Sequence, residues 1–425
     1  MTLSHNRFRS MHWFTAVFLA ALALTTVVRL WLSRRHIRHV SANRNAVPAE
    51  FEGRIALAAH QKAADYTAAK TQLGMFETLA GAALLLGFTL GGGLQLLSDV
   101  WERIFEAGGY AHGIALIVSV AIDSSVIDLP FALYRTFVIE ARFGFNRTSL
   151  ALFFADLAKQ AALGALLLVP LVFCFLWLMA RMGAMWWLYA WATWVAFSLV
   201  VQFLYPTVFV RWFNKFTPLE DAGLRSRIEG LLTKCGFRSR GLFVMDGSKR
   251  SSHGNAYFTG FGAAKRIVLF DTLVSRLAPP EIEAVLAHEL GHFSLRHVWK
   301  RMGLAFGASL AILWLLGWLI GQDWFYAALG VRSHSAAMAL VLFFMVVPVF
   351  TFLLHPLASF YSRLHEFEAD AYAARHADAG DLVHALVKLY EDNAATLTPD
   401  PLHSAFYDSH PPAMLRISRL QTQRT

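Results

Sequence analysis

Uncharged apolar stretches recur seven times along the chain. They lie near residues 11–28, 78–97, 108–122, 160–180, 182–210, 302–322 and 335–360. A helix needs about 20 mostly apolar residues to cross a bilayer core, so the pattern predicts seven spanning helices. The third stretch is short and is bounded by Asp123. The fifth is long enough to project beyond the bilayer. Only Arg181 separates the fourth from the fifth, which implies a tight hairpin. Arg7 and Arg9 precede the first stretch, as in a signal peptide. That stretch is long for a signal sequence and runs into Arg29, Arg34 and Arg35, so a retained helix fits better.

Two polar blocks interrupt this pattern, at 211–301 and 361–425. The first reads as mixed α/β. Residues 225–235 have helical spacing, 241–245 and 266–270 read as short strands, and 252–262 is a glycine-bounded strand or hairpin. The expected organisation is therefore helices one to five with their loops (1–210), a mixed α/β polar block (211–301), helices six and seven (302–360), and a C-terminal completion of the polar domain (361–425). Composition agrees. Hydrophobic residues make up 56% of the 425 residues and charged residues 16%, where a soluble domain carries about 25% charged. Disordered, collagen-like, disulfide-scaffold and purely soluble classes are excluded. Two cysteines, Cys174 and Cys235, build neither a disulfide framework nor a thiolate metal site.

The net charge is +9, and its distribution orients the chain. With the N-terminus outside, the outer segments carry Arg7, Arg9, Arg103, Arg181 and Arg332. The segment 33–70 alone carries seven basic residues, from Arg34 to Lys70, and falls inside with both polar blocks. That basic segment marks the cytoplasmic side and is placed to touch anionic lipid. No nucleic-acid module is present. Asp123 and Asp128 read either as cavity-facing carboxylates or as plain helix-end residues.

Chemistry concentrates in the polar blocks. Pro279 and Pro280 followed by Glu281 form a helix start. This helix carries His288-Glu289-Leu290-Gly291-His292, the HExxH pattern. Positions i and i+4 share a helix face, so both imidazoles can bind one zinc ion. Glu289 is placed to act as general base on water. Glycine inside a helix costs about 1 kcal/mol against alanine, so Gly291 implies that something approaches closely. A third ligand is available after the seventh apolar stretch, where Glu366 and Asp370 are again i, i+4. Glu366 is the expected third ligand, and Asp370 the carboxylate that orients a ligand histidine. A two-span hairpin returns this segment beside the HExxH helix. His365 and Glu368 compete with Glu366. Glu368 lies about 200° round the helix from it, and His365 is the second choice. His297 is off the metal-facing side and reads as structural.

These residues resemble the type I CAAX prenyl protease family, integral-membrane gluzincin metalloproteases. The resemblance rests on LPFALYRTFVIEARFGFNRTS at 129–149, NAYFTGFGAAKRIVLFDTLV at 255–274, VLAHELGHFSLRH at 285–297, EFEADAYA at 366–373 and SHPPAMLRI at 409–417, in the family's order. It implies a mainly α membrane protein. Seven transmembrane helices surround a large chamber, with a small α/β zincin-type domain on the cytoplasmic side. It implies one Zn²⁺ per chain, held by His288, His292 and Glu366, with Glu289 as base and Asp370 orienting a ligand. It places Asn255, Ala256 and Tyr257 in a substrate groove, and His410 and Arg416 near the zinc. His410 is a candidate donor to the oxyanion, or a turn residue before Pro411. Arg416 either acts there or pairs with a carboxylate such as Asp370.

The expected activity is a zinc metalloendopeptidase of the membrane. In the family, substrates end in a prenylated cysteine followed by three residues, and the tripeptide is removed. A quality-control protease acting on non-prenylated substrates is the alternative with the same mechanism. A transporter or a structural-zinc scaffold is the alternative of another class. The expected partners are a peptide or protein substrate and the lipid bilayer, in a bacterial inner membrane or one of endoplasmic-reticulum type. The final QTQRT is not a prenylation signal.

Overall fold

The computed structural model describes residues 12–206, 208–259 and 264–422. Arg7, Arg9, the glycine-bounded end of the 252–262 segment and the last three residues lie outside the described residues. Seven helices are long and apolar enough to cross a membrane: Trp13–Ala42, Leu57–Phe88, Tyr110–Glu140, Leu150–Arg181, Gly183–Leu204, His297–Leu319 and Ala336–His376.

Their number is as expected, but their ends differ from the apolar stretches, because helices continue into water where hydropathy falls. The first helix has 30 residues, about 45 Å at 1.5 Å per residue, against a core of about 30 Å. The basic segment 33–70 is thus largely helix, not loop. Two of its arginines are paired within the protein, Arg35 with Asp400 (2.9 Å) and Arg44 with Asp65 (2.7 Å). The second stretch, 78–97, is split between two helices. Helix Leu57–Phe88 stops before the glycine triplet, and Gly92, at φ +79°, starts a separate short helix, Gly93–Trp101. The third helix runs past Asp123 and Asp128 to Tyr134, then through a π-helical turn over Arg135–Glu140. These two carboxylates are therefore not helix-end residues; Asp128 is exposed and Asp123 half-buried.

The seventh helix is the packing centre. In its most apolar window 56% of residues are buried, against 6% in the third and the fifth helices. Leu316, Met338, Leu342 and Phe343 are buried in one cluster that joins the sixth and seventh helices.

The polar domain is built on a four-stranded sheet. Its strands are β1 (Phe216–Pro218), β2 (Arg238–Met245), β3 (Ala256–Thr259) and β4 (Ala264–Phe270), in the order β1-β2-β4-β3. β2 and β4 are parallel, and the other two pairs are antiparallel. β3 is thus an edge strand. Helices Ala222–Lys234, Pro279–Ser294, Ala379–Asp392 and Ala413–Thr422 join its core, in which Ile228, Ile267, Leu286, Leu290, Leu386 and Ile417 are buried. Asp156 of the fourth spanning helix accepts from Arg250 Nε (2.7 Å) and Nη2 (3.0 Å). That bidentate pair ties the domain to the membrane helices.

Candidate active site

Helix Pro279–Ser294 starts where Pro279 and Pro280 need no amide partner and where Glu281 accepts from the Ala278 amide at 2.7 Å. It packs against the end of the seventh span. Gly291 permits the contact: a Cβ there would sit 3.0 Å from Ala369 Cα and 3.1 Å from Tyr372 Cβ. The close approach expected at Gly291 is the backbone of the helix that carries Glu366.

Three ligand atoms converge across this contact. His288 Nε2 and His292 Nε2 are 3.3 Å apart. Glu366 lies 3.4 Å from the first through Oε2 and 3.3 Å from the second through Oε1. Zinc bonds of about 2.05 Å in a tetrahedron separate their ligands by about 3.3 Å. The donor set therefore fits a zinc ion. Glu366 Oε2 is buried and has no hydrogen-bond partner among the described residues, a cost that a cation would remove.

Asp370, one turn beyond Glu366, lies 2.8 Å from His288 Nδ1. It also accepts from Arg416 Nε (2.8 Å) and Nη2 (2.6 Å). Of the partners considered for Arg416, the structure selects Asp370. The Asp370 carboxylate is held by a buried bidentate guanidinium, and it in turn holds the His288 ring. His410 lies 3.6 Å from Glu366 Oε1, and its side chain is 62% exposed. Of the competing ligands, neither His365 nor Glu368 joins the convergent group. Both gather instead around His297.

Glu289, His288, Asn255, Ala256, His410 and Arg416 line one cavity of about 320 Å³. A larger cavity of about 1220 Å³ is lined by Asn255, Tyr257, His292 and Arg250, with Gln202 and Met302 from the spans. Asn255, at the start of β3, borders both. Its side chain accepts from the Ala256 amide at 2.8 Å. Burial pushes the Tyr257 phenol up to about 12, so it stays protonated, and its hydroxyl has no partner among the described residues.

Two family models cover the chain. "CAAX prenyl protease N-terminal, five membrane helices" matches residues 36–215, and "Peptidase family M48" matches residues 218–424. The chain belongs to peptidase family M48. The CAAX prenyl protease 1 homolog of Oryza sativa is 38% identical over 345 residues, covering 77% of this chain and 79% of the relative. The human CAAX prenyl protease 1 homolog is 30% identical, covering 96% of each. The crystal structure of S. mikatae Ste24p superposes with a TM-score of 0.87 at 29% identity, covering 97% of this chain and all of that one. The chain is a multi-pass membrane metalloprotease, with a mainly helical membrane part and a small sheet-containing peptidase domain, as the sequence led us to expect.

Residues outside the sequence-based set also border the site. Tyr390 lines the smaller cavity. His297 contacts His292 directly, with the two Nδ1 atoms 3.0 Å apart. Tyr390 carries no local sequence signal, and His297, the last residue of the 285–297 motif, reads in sequence as structural and off the metal-facing side. Tyr390 arrives from a separate helix, and His297 is brought round by a chain reversal.

Proposed function

We propose that the metal is one zinc ion per chain, held by His288, His292 and Glu366, and that Glu289 is the general base of peptide-bond hydrolysis. The observation that carries this reading is the set of ligand separations, 3.3–3.4 Å, with Glu289 on the wall of the same cavity. Bound there, zinc supplies Lewis-acid polarisation of a carbonyl and acidifies water. Glu289 takes the proton of the attacking water and returns it to the leaving amine. Asp370, locked by Arg416, keeps His288 in one orientation. His410, exposed beside the ligands, donates to the oxyanion of the tetrahedral intermediate. The edge strand β3 receives the peptide as an added strand from Asn255 onward, which gives main-chain hydrogen bonds with little sequence choice. Ala256 and Tyr257 form that wall, and the protonated Tyr257 phenol offers a further donor.

The relatives are named CAAX prenyl proteases, and we take the substrate to be C-terminally prenylated and to lose its last three residues, as the family resemblance implies. An apolar cavity of about 610 Å³ between the third, fourth, fifth, sixth and seventh spans supports this reading. It is lined by Ile117, Val120, Leu171, Phe175, Ile312 and Phe344, an apolar space suited to a prenyl chain. The alternative, hydrolysis of non-prenylated membrane proteins, uses the same residues. We place the four sequence segments 1–210, 211–301, 302–360 and 361–425 as the organisation of the chain, with the peptidase domain cytoplasmic.

The test is cleavage of a farnesylated CaaX peptide and its unprenylated twin by the purified protein in detergent, with metal content measured. Wild type should hold one zinc and cut. Glu289→Gln should keep its zinc and lose about 10²–10⁴-fold in rate. A zinc-loaded Glu289→Gln enzyme as active as wild type would remove Glu289 from the mechanism. Equal rates on the two peptides would favour the non-prenylated substrates.

A further inference from the structure

His292 turns Nε2 toward the ligand group, and its other ring nitrogen faces the protein. There, His292 Nδ1 lies 3.0 Å from His297 Nδ1, and His297 Nε2 lies 2.7 Å from Glu368 Oε2. In an unbroken helix, residues five apart point about 140° away from each other. The chain does not continue as a helix here. Arg296 adopts φ 58°, a left-handed conformation that is strained for a non-glycine residue. This turn swings His297 back onto His292 at the start of the sixth span. Strain of this kind is retained where the surroundings require it, often at functional sites.

The donor and acceptor count admits one arrangement for a metal-binding His292. Coordination through Nε2 leaves the proton on Nδ1. That N–H donates to His297 Nδ1, which must then accept. His297 therefore carries its proton on Nε2 and donates to the Glu368 carboxylate. We propose that His297 and Glu368 form a relay that positions His292 and fixes its tautomer, the counterpart of Asp370 on His288. The inference rests on the zinc reading of the triad. It gives both metal histidines a terminal carboxylate from the same helix, Asp370 directly and Glu368 through one imidazole. Ligand histidines generally donate their second N–H in this way, and loss of such a partner weakens metal binding about 10–100-fold. His365 holds the relay in place. Its ring stacks on His297 at 4.0 Å and 9°, and Arg301 Nε donates to its Nδ1 at 3.3 Å.

The same three residues also bring ligand atoms within 4.8 Å of one another, the spacing of a second metal site. The stacking argues against that use. A metal lies in the plane of each imidazole it binds, and two nearly parallel rings 4.0 Å apart do not share such a point. The Arg301 guanidinium beside His365 adds a repelling charge.

The test measures zinc affinity by chelator competition and the visible spectrum of the cobalt-substituted, full-length protein in detergent. His297→Phe keeps a ring on His365 and removes both hydrogen bonds. We expect about 10–100-fold weaker zinc binding, an altered cobalt spectrum and an unchanged Tm of the metal-free protein. Glu368→Ala, at a half-exposed position that tolerates substitution, should lose about tenfold, and Glu368→Gln, whose amide oxygen still accepts, should recover most of it. Wild-type affinity and spectrum in both His297→Phe and Glu368→Ala would overturn the relay. So would two zinc ions in the wild type with one in His297→Phe, which would make the cluster a metal site. His288→Ala is the control for the reading beneath. If it binds zinc as wild type does, the triad assignment fails, whatever His297→Phe shows.

Discussion

Gly291 is the one position in the HExxH helix where the backbone of another helix takes the place of a side chain. The neighbours are Ala369 Cα at 3.0 Å and Ala369 O at 3.2 Å, so the obstacle to a larger residue is main chain. Gly291→Ala should therefore cost about 1–3 kcal/mol through overpacking, although alanine is the better helix former by about 1 kcal/mol. Ala369→Gly should not rescue it, because the colliding atoms belong to the backbone. Activity should fall further than stability, since His288 and His292 sit on one side of the contact and Glu366 on the other. Thermal unfolding and peptidase rates of the single and double variants check this. A Gly291→Ala protein with wild-type Tm and rate would mean that the helices adjust without moving the triad.

Two short helical motifs carried most of what the sequence reveals of the site. Both His288/His292 and Glu366/Asp370 are i, i+4 pairs, so local periodicity alone puts each pair on one face. What periodicity does not supply is the rotation of one helix against the other. His365, Glu366 and Glu368 are near neighbours on one helix, and only packing at Gly291 decides that Glu366 meets the histidines. His297 escaped for a related reason: the left-handed residue at Arg296 is invisible to an argument that assumes a continuous helix. The spans were legible in number and not in extent, because hydropathy marks the lipid-facing stretch and not the charged turns beyond it. The edge strand β3 carries a prediction at this scale. If the peptide adds to β3, backbone N-methylation of the substrate at residues pairing with it should raise KM by about fivefold per lost hydrogen bond, taken as about 1 kcal/mol each, with kcat less affected. An unchanged KM across an N-methyl scan of the peptide would mean that β3 does not bind substrate by pairing.

For the whole molecule, the decisive question is which side of the bilayer the ligand triad faces. Odd and even crossings put the peptidase domain and the C-terminal segment on one side, together with the charged end of the first helix. The Arg35–Asp400 pair at 2.9 Å and the His36–His403 stack at 4.0 Å join that end to the C-terminal segment, so these parts share one compartment whatever its name. From the Lys/Arg bias we propose that this compartment is the cytoplasm, because basic residues near span ends are retained inside. Glu106, exposed between the second and third spans, and Ser418, exposed on the last helix, fall on opposite sides in this arrangement. In a background with Cys174 and Cys235 replaced by alanine, Glu106→Cys should react with a membrane-impermeant maleimide in sealed right-side-out vesicles. Ser418→Cys should react only after permeabilisation. The opposite pattern would turn the protein over and place the catalytic domain outside. Labelling of both positions in sealed vesicles would break the seven-span count itself, since an odd number of crossings must separate them.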